Sequence, residues 1–178
     1  MNRGTAAGIG LSLLALAACA GEGAVEPASY PSGVRADVRN AGGTAVATAS
    51  AAGEGGGLRV RIEAAGLAPG TYGIHVHAVG RCDPPGFDSA GPHWNPTGRE
   101  HGSQNPQGPH LGDLPNLQVG TDGAGSLEFT IPGAGLTGDS GALLDGDGAA
   151  LLVHAGPDDY RTDPSGNSGA RIACGVFG

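Results

Sequence analysis

The stretch Gly73-Ile74-His75-Val76-His77 carries the first indication of both a fold and a site. Successive side chains of a β-strand point to opposite faces, so His75 and His77 leave from one face and Ile74 and Val76 from the other. The apolar pair would point into the interior of a barrel and the histidines outward. This spacing makes a preformed bidentate chelate, although histidine pairs also occur by chance on surface strands.

A long segment rich in Gly, Pro, Asp and Asn follows, from Gly80 to about Asn116, with little hydrophobic periodicity. Loops of this length in a compact domain are usually functional. Four residues in it can bind a metal: His93, His101, His110 and Asp113. Each histidine alone could be a solvated loop residue, but together they form a set of three nitrogens and one oxygen that suits tetrahedral zinc. Four protein ligands leave no open position, so we predict a structural ion that orders the loop.

A sixth imidazole ends the apolar strand Leu151-Leu152-Val153-His154. With His75, His77 and His93 it completes a set of four nitrogens. All-imidazole coordination close to a plane suits Cu(II), which, unlike zinc, can change its charge. His93 belongs to both predicted sets, because an imidazole that loses both protons can bind one metal through each ring nitrogen.

Eight short β-compatible segments separated by turns predict an all-β sandwich or barrel. In the third segment, apolar residues alternate with charged ones, which indicates one buried and one wet face. A second polar loop, Ala155 to Gly169, separates the last two segments, and there is no internal repeat and no convincing amphipathic helix. The segments are Val34–Asn40, Ala45–Ala51, Leu58–Ala64, Tyr72–Val79, Leu117–Thr121, Ser126–Ile131, Ala149–His154 and Arg171–Phe177.

The composition narrows the function further. The 178 residues suit one domain with a short leader. A net charge of −8, with nine arginines and no lysine, argues against binding to nucleic acid or to an anionic membrane surface, since both attract a basic patch. The 36 glycines and few aromatic residues suit short strands with tight turns and long loops.

The first residues predict export. Arg3 precedes an apolar stretch, Gly8 to Ala18, that is too short for a stable membrane anchor. The run Leu16-Ala17-Ala18-Cys19 resembles a bacterial lipobox, so residues 1–18 are a predicted signal peptide and Cys19 a lipidated N-terminus. The alternative is an ordinary signal peptide with a chance cysteine. Residues 19–31 then form a flexible tether and 32–178 the domain, which is periplasmic or anchored to the outer membrane.

The two remaining cysteines, Cys82 and Cys174, predict one disulfide, because an even number of cysteines in an exported protein usually pairs. Strand faces rich in alanine and glycine offer no recognisable hydrophobic patch, so both a monomer and a homodimer remain open.

The metal-binding motifs, taken in order, resemble the copper/zinc superoxide dismutase family, from about Val34 to the C-terminus. The matching segments are Gly73–His77, Gly91-Pro92-His93-Trp94-Asn95-Pro96, His101-Gly102, His110-Leu111-Gly112-Asp113-Leu114, Leu152–His154 and Gly169-Ala170-Arg171-Ile172-Ala173-Cys174-Gly175. The resemblance implies a flattened eight-stranded Greek-key barrel and pairs Cys82 with Cys174. It assigns copper to His75, His77, His93 and His154, and zinc to His93, His101, His110 and Asp113.

The same resemblance implies dismutation of superoxide to dioxygen and hydrogen peroxide. Arg171 matches the arginine that guides the anionic substrate, His93 would carry a proton to the forming peroxide, and Asp158 would link a copper-side to a zinc-side histidine. Pro164 stands where eukaryotic members carry a steering lysine, so we expect weak electrostatic steering that rests mainly on Arg171 and copper. The rival interpretations are a metal-carrying module without activity and a structural surface lipoprotein.

Overall fold

The computed structural model describes residues 33–138 and 141–178, together with Met1 and Gly4. The predicted signal peptide, Cys19 and the tether lie outside the described residues, apart from those two positions. Among the residues described, no helix is long and apolar enough to cross a membrane.

The described part of the chain is built from nine antiparallel strands, and its one stretch of helix is a 3₁₀ turn at Asp88–Ala90. Seven strands form one sheet in the order β5-β8-β9-β1-β2-β3-β7, and β4 pairs with β6 in a second sheet. The strands are β1 Gly33–Asn40, β2 Ala45–Glu54, β3 Gly57–Ala65, β4 Gly70–Tyr72, β5 Ile74–His77, β6 Leu117–Val119, β7 Ala124–Pro132, β8 Ala150–His154 and β9 Arg171–Val176. The all-β prediction is confirmed.

The prediction of one continuous strand from Tyr72 to Val79 is wrong. The chain breaks at Gly73 into β4 and β5, which pair with different partners, β6 and β8. Gly73 donates its backbone N–H to the Gly156 carbonyl at 2.8 Å. A Cβ at Gly73 would lie 2.8 Å from the Cβ of Ser168, so glycine is required for this close approach. β4 and β5 together take the place of the fourth predicted segment, so the nine observed strands account for the eight predicted ones.

The main hydrophobic core of the described residues lies between the two sheets. On β3, Leu58, Val60 and Ile62 are fully buried, whereas the residues between them are at least partly exposed, as the alternating pattern predicts. Tyr72 of β4 and Leu117 of β6 pack into the same cluster, so the small sheet covers the apolar face of the large one.

Strand β8 is buried on both faces, which fixes the surroundings of the candidate site. Leu151 and Val153 belong to the main core. Ala150 and Leu152 face the other way and pack in a smaller cluster with Phe87, Ala90 and Cys174. The disulfide between Cys82 and Cys174 joins the start of the long loop to β9 beside this cluster. Loop residues are thus held against the outer face of the sheet.

Candidate metal centre

Strand β5 presents its two histidines on the face opposite the main core. Ile74 and Val76 pack in that core, as the alternation predicts. His75 and His77 point away from it and are nevertheless buried, at 0% and 1% exposure. They are covered by the first loop (residues 80–116) and the second loop (residues 155–169).

The first loop is attached to the free edge of β5 by backbone hydrogen bonds. Trp94 donates to the Val76 carbonyl at 2.8 Å, and Val76 donates to the Gly112 carbonyl at 2.9 Å. A Cβ at Gly112 would collide with the Val76 carbonyl oxygen, so only glycine allows the loop to come this close. Isolated bridges pair His77 with His93 and His75 with Asp113. The loop thereby brings its candidate metal-binding residues, His93 and Asp113, beside the strand histidines.

Four histidines from two strands and the first loop form a four-histidine group: His75, His77, His93 and His154. Their candidate ligand nitrogens all lie within 4.8 Å of one another. The ring centroids of His75 and His93 are 4.0 Å apart, and those of His75 and His154 are 4.7 Å apart.

Each ring of this group has one nitrogen engaged and one without a partner. His77 Nδ1 lies 2.8 Å from the Gly91 carbonyl, and His154 Nδ1 lies 3.1 Å from the Gly169 carbonyl. A carbonyl only accepts, so each Nδ1 carries the proton and each Nε2 keeps a lone pair. The nitrogens left without a hydrogen-bond partner are His75 Nδ1, His77 Nε2, His93 Nε2 and His154 Nε2. Buried unpaired nitrogens are costly, and a metal ion that all four bind would satisfy them. This donor set therefore fits copper.

A second cluster, the aspartate group, comprises His93, His101, His110 and Asp113. Asp113 Oδ1 lies 2.9 Å from His93 Nδ1, 3.0 Å from His101 Nδ1 and 3.1 Å from His110 Nδ1. The Nδ1 atoms of His93 and His110 are themselves 3.4 Å apart. Three imidazole nitrogens around a carboxylate oxygen fit the ligand types of a zinc site. The ligand atoms of His75, His93, His101 and Asp113 also lie within 4.8 Å of one another.

Asp158 lies between the two clusters. Its Oδ2 is 3.0 Å from His75 Nε2, and its Oδ1 is 3.0 Å from His101 Nε2. One buried carboxylate thus contacts a ring from each group and holds both in orientation.

Electrostatics keep the four-histidine group neutral. Burial lowers the pKa of His75 to about 3, that of His77 to about 2 and that of His154 to about 4. Neutral imidazoles are the form that binds metals. Burial would also lower the pKa of His101, but hydrogen bonds to Asp113 and Asp158 outweigh it and raise that pKa to about 9.

A cavity of about 910 Å³ opens onto the four-histidine group and is lined by His77, His93, His154 and Arg171, among others. The Arg171 guanidinium is fixed by the first loop, because Nη1 donates to the Phe87 carbonyl at 2.9 Å and Nη2 to the Gly91 carbonyl at 2.8 Å. A small anion that enters the cavity would meet this cation beside the histidines.

Residues 41–177 match the sequence model of the copper/zinc superoxide dismutase family. This chain belongs to that family. The resemblance noted from the motifs is thereby confirmed, and several curated copper/zinc superoxide dismutases among its relatives support an oxidoreductase of that class.

Similar proteins agree with this membership. The copper/zinc superoxide dismutase 1 of Aquifex aeolicus is 41% identical over 145 residues, which are 79% of this chain and 85% of the relative. The solved structure of an SOD-like protein from Bacillus subtilis has a TM-score of 0.76 and 43% identity, over 80% of this chain and 96% of that one. The Cu/Zn superoxide dismutase from Brucella abortus has a TM-score of 0.65 and 30% identity, over 82% and 99%.

Three residues at the site were not predicted from the sequence. Arg99 lines the same cavity as Arg171, and so does Trp94, the one tryptophan of the chain. Asn116 contacts Asp158 from the far end of the first loop. The motif around His93 contains Trp94 and could have pointed to it, but no local pattern marks Arg99 or Asn116 as site residues.

Proposed function

We propose that this protein converts two superoxide anions and two protons into dioxygen and hydrogen peroxide. The observation that carries the proposal is the convergence of four buried imidazole nitrogens, none with a hydrogen-bond partner, on one point beside an arginine-lined cavity. We assign copper to His75, His77, His93 and His154. Bound copper would supply the one-electron oxidation and reduction that side chains lack.

We assign zinc to His93, His101, His110 and Asp113, with His93 shared between the two ions. The competing set, in which His75 replaces His110, is less favourable on chemical grounds. His75 has two nitrogens, of which Nε2 contacts Asp158 and Nδ1 belongs to the copper group. His110 Nδ1, by contrast, lies 3.1 Å from Asp113 Oδ1 and has no role in the copper group. The sharing of His93 is supported by the two sides of its ring, since Nδ1 faces Asp113 and Nε2 is unpaired.

The chain's own residues would bind, orient and protonate the substrate. Arg171 supplies a fixed positive charge in the cavity, which attracts and orients a small anion. The loops keep the strand histidines buried and therefore neutral. We assign to His93 Nε2 the transfer of one of the two protons. It would take up this proton while one superoxide is oxidised to dioxygen and donate it to the peroxide formed when the second superoxide is reduced, with the other proton coming from water.

The alternative is a copper- or zinc-carrying protein of the same fold without dismutase activity. Such a protein needs neither a complete histidine set nor a cation beside it. This chain has all six histidines and Arg171 together, which favours the enzyme.

The deciding experiment joins metal analysis to a superoxide-decay assay on the purified protein. We expect one copper and one zinc per chain, quenching of Trp94 fluorescence on copper binding, and rapid decay of superoxide. His77→Ala should lose copper and activity, and Arg35→Ala on the exposed face of β1 is the control. Copper binding without faster decay would favour the carrier, and no copper binding would overturn both.

We further propose that the protein is exported and tethered through a lipid on Cys19. The disulfide between Cys82 and Cys174 supports an oxidising compartment. In a bacterial host, Cys19→Ala should move the protein from the membrane fraction to the soluble fraction, and unchanged fractionation would contradict the anchor.

A further inference from the structure

Asn116, the last residue of the first loop, holds the backbone of Asp158 in the second loop. The Asp158 N–H donates to Asn116 Oδ1 at 2.8 Å, and Asn116 Nδ2 donates to the Asp158 carbonyl at 2.9 Å. One amide side chain therefore satisfies both backbone groups of a residue 42 positions away. A pair of hydrogen bonds of this kind fixes the position of a residue more strictly than one bond does.

Asp158, whose backbone Asn116 holds, contacts one ring of the four-histidine group and one ring of the aspartate group. Asp158 is 4% exposed, and its carboxylate oxygens lie 3.0 Å from His75 Nε2 and 3.0 Å from His101 Nε2. A carboxylate in this position determines which ring nitrogen carries the proton and how each ring is turned. A shift of the Asp158 backbone would therefore move both rings together.

We propose that Asn116 is a positioning residue that aligns His75 and His101 through Asp158. Its side chain hydrogen-bonds to Asp158 and not to either ring, so its effect on metal binding passes through the carboxylate. The proposal rests on the proposed function, because it takes the rings of His75 and His101 as ligands of the two metals. It goes further by assigning the alignment of both sites to one amide side chain.

Asn116 could instead serve only to link the two loops, and this structural role can be distinguished experimentally from the positioning of Asp158. The backbone N–H of Asn116 donates to the Tyr160 hydroxyl at 2.9 Å, a contact that does not depend on the Asn116 side chain. Asn116→Ala therefore keeps one bond between the loops and removes only the pair to Asp158. The matched control is Gln118→Ala, two residues on in β6, whose exposed side chain bonds to Thr71.

The test is a double-mutant cycle on the full chain that combines Asn116→Ala with Asp158→Asn, read by zinc affinity in competition with a chelator. We expect Asn116→Ala to weaken zinc binding by about tenfold, at the low end of the range for partners of metal ligands. Gln118→Ala should leave the affinity unchanged. Asn116→Ala should add less than about a twofold loss to Asp158→Asn, because residues that act as a unit are not additive.

Full additivity of the two substitutions, or a wild-type zinc affinity in Asn116→Ala, would overturn the proposal. If Asn116→Ala does not fold, Asn116→Ser carries the same comparison. If the unchanged protein does not bind zinc, the proposed function fails separately. The coupling is then measured by the denaturation midpoints of the four metal-free proteins, where the same non-additivity is expected.

Discussion

In each ring of the four-histidine group, one nitrogen lies next to an oxygen atom of the protein and the other nitrogen has no hydrogen-bond partner. The oxygens belong to two backbone carbonyls, Gly91 and Gly169, and to two carboxylates, Asp113 and Asp158. The orientation of every ring is therefore set by oxygen atoms of the protein itself. Such preorganisation lowers the cost of ordering ligands when a metal arrives.

The same burial makes the metal-free protein sensitive to acid. His75, His77 and His154 have folded-state pKa values of about 3, 2 and 4, against 6.5 for an exposed imidazole. Protonation thus favours the unfolded chain, so stability is present above pH 6.5 and is lost as the pH falls. Between pH 7 and pH 5, each of these three imidazoles should lower the free energy of unfolding by up to about 2 kcal/mol. His101, whose folded-state pKa is raised, should increase it by less than about 1 kcal/mol over the same range.

Denaturant titration of the chelator-treated protein at several pH values measures this loss. The metal-free His154→Gln variant removes one buried imidazole and should show a weaker dependence on pH. A free energy of unfolding that is the same at pH 7 and pH 5 would contradict the prediction.

Arg171 provides a prediction that separates metal binding from substrate capture. Its guanidinium donates to two carbonyls of the first loop and contacts no proposed metal ligand through a hydrogen bond. Arg171→Ala should lower the superoxide-decay rate by roughly tenfold, since it removes a local positive charge, with copper and zinc contents unchanged. Arg171→Lys should recover part of the rate, because it keeps the charge but not the forked geometry. An unchanged rate for Arg171→Ala at physiological salt would refute this role.

At the scale of elements, the site depends on how the first loop attaches to the sheet. Strand β5 has β8 on one side, and the loop occupies its other edge through the bonds of Val76 to Trp94 and Gly112. The disulfide fastens the start of the loop to β9, where Arg171 begins the strand. The loop thus supplies both proposed metal ligands and the carbonyls that hold Arg171.

Removal of the disulfide should therefore affect both stability and substrate capture. Cys82 and Cys174 are 92 residues apart, and cross-linking a loop of that size stabilises the folded chain by roughly 4–5 kcal/mol in the chain-entropy account. The double variant Cys82→Ser/Cys174→Ser should unfold at lower denaturant concentration. It should also lose part of its activity below its unfolding temperature, because the carbonyls of Phe87 and Gly91 are then less firmly held. Equal denaturation midpoints for the two proteins would contradict this expectation.

For the whole molecule, the charge distribution opposes long-range attraction of superoxide. The net charge is −8. Two arginines line the cavity, Arg99 and Arg171, together with four carboxylates, Asp88, Glu100, Asp145 and Asp163. Arg99 adds a second cation to the one expected from the sequence, but acidic groups still outnumber basic ones at the entrance.

We therefore expect a weak dependence of the rate on salt. From low to physiological ionic strength, the decay rate should change by less than about twofold, because added salt screens a field that barely attracts the substrate. Asp145→Asn should raise the rate at low salt, since it removes a negative charge from the cavity and keeps the turn bond to the Asp147 N–H. Asp37→Asn, on the exposed face of β1, is the matched control. A steep fall of the rate with added salt would contradict the prediction.

From the sequence alone, most of the strands, the two long loops, the candidate metal-binding side chains and the disulfide between Cys82 and Cys174 could be predicted. These features are local or compositional: alternation of apolar and polar residues marks a buried face, as on β3, and the cysteine count allows few pairings. The sequence also indicated the family, because the motifs around the histidines occur in a recognisable order.

How these pieces meet depends on long-range packing that the sequence does not show. This packing divided the fourth predicted strand at Gly73, put Arg99 in the cavity, gave each imidazole its hydrogen-bond partner and joined Asn116 to Asp158. These contacts escape sequence analysis because they link residues far apart in the chain through loops without periodicity. Their positions follow from close backbone approaches and buried hydrogen bonds, which exist only once the loops are packed on the sheet.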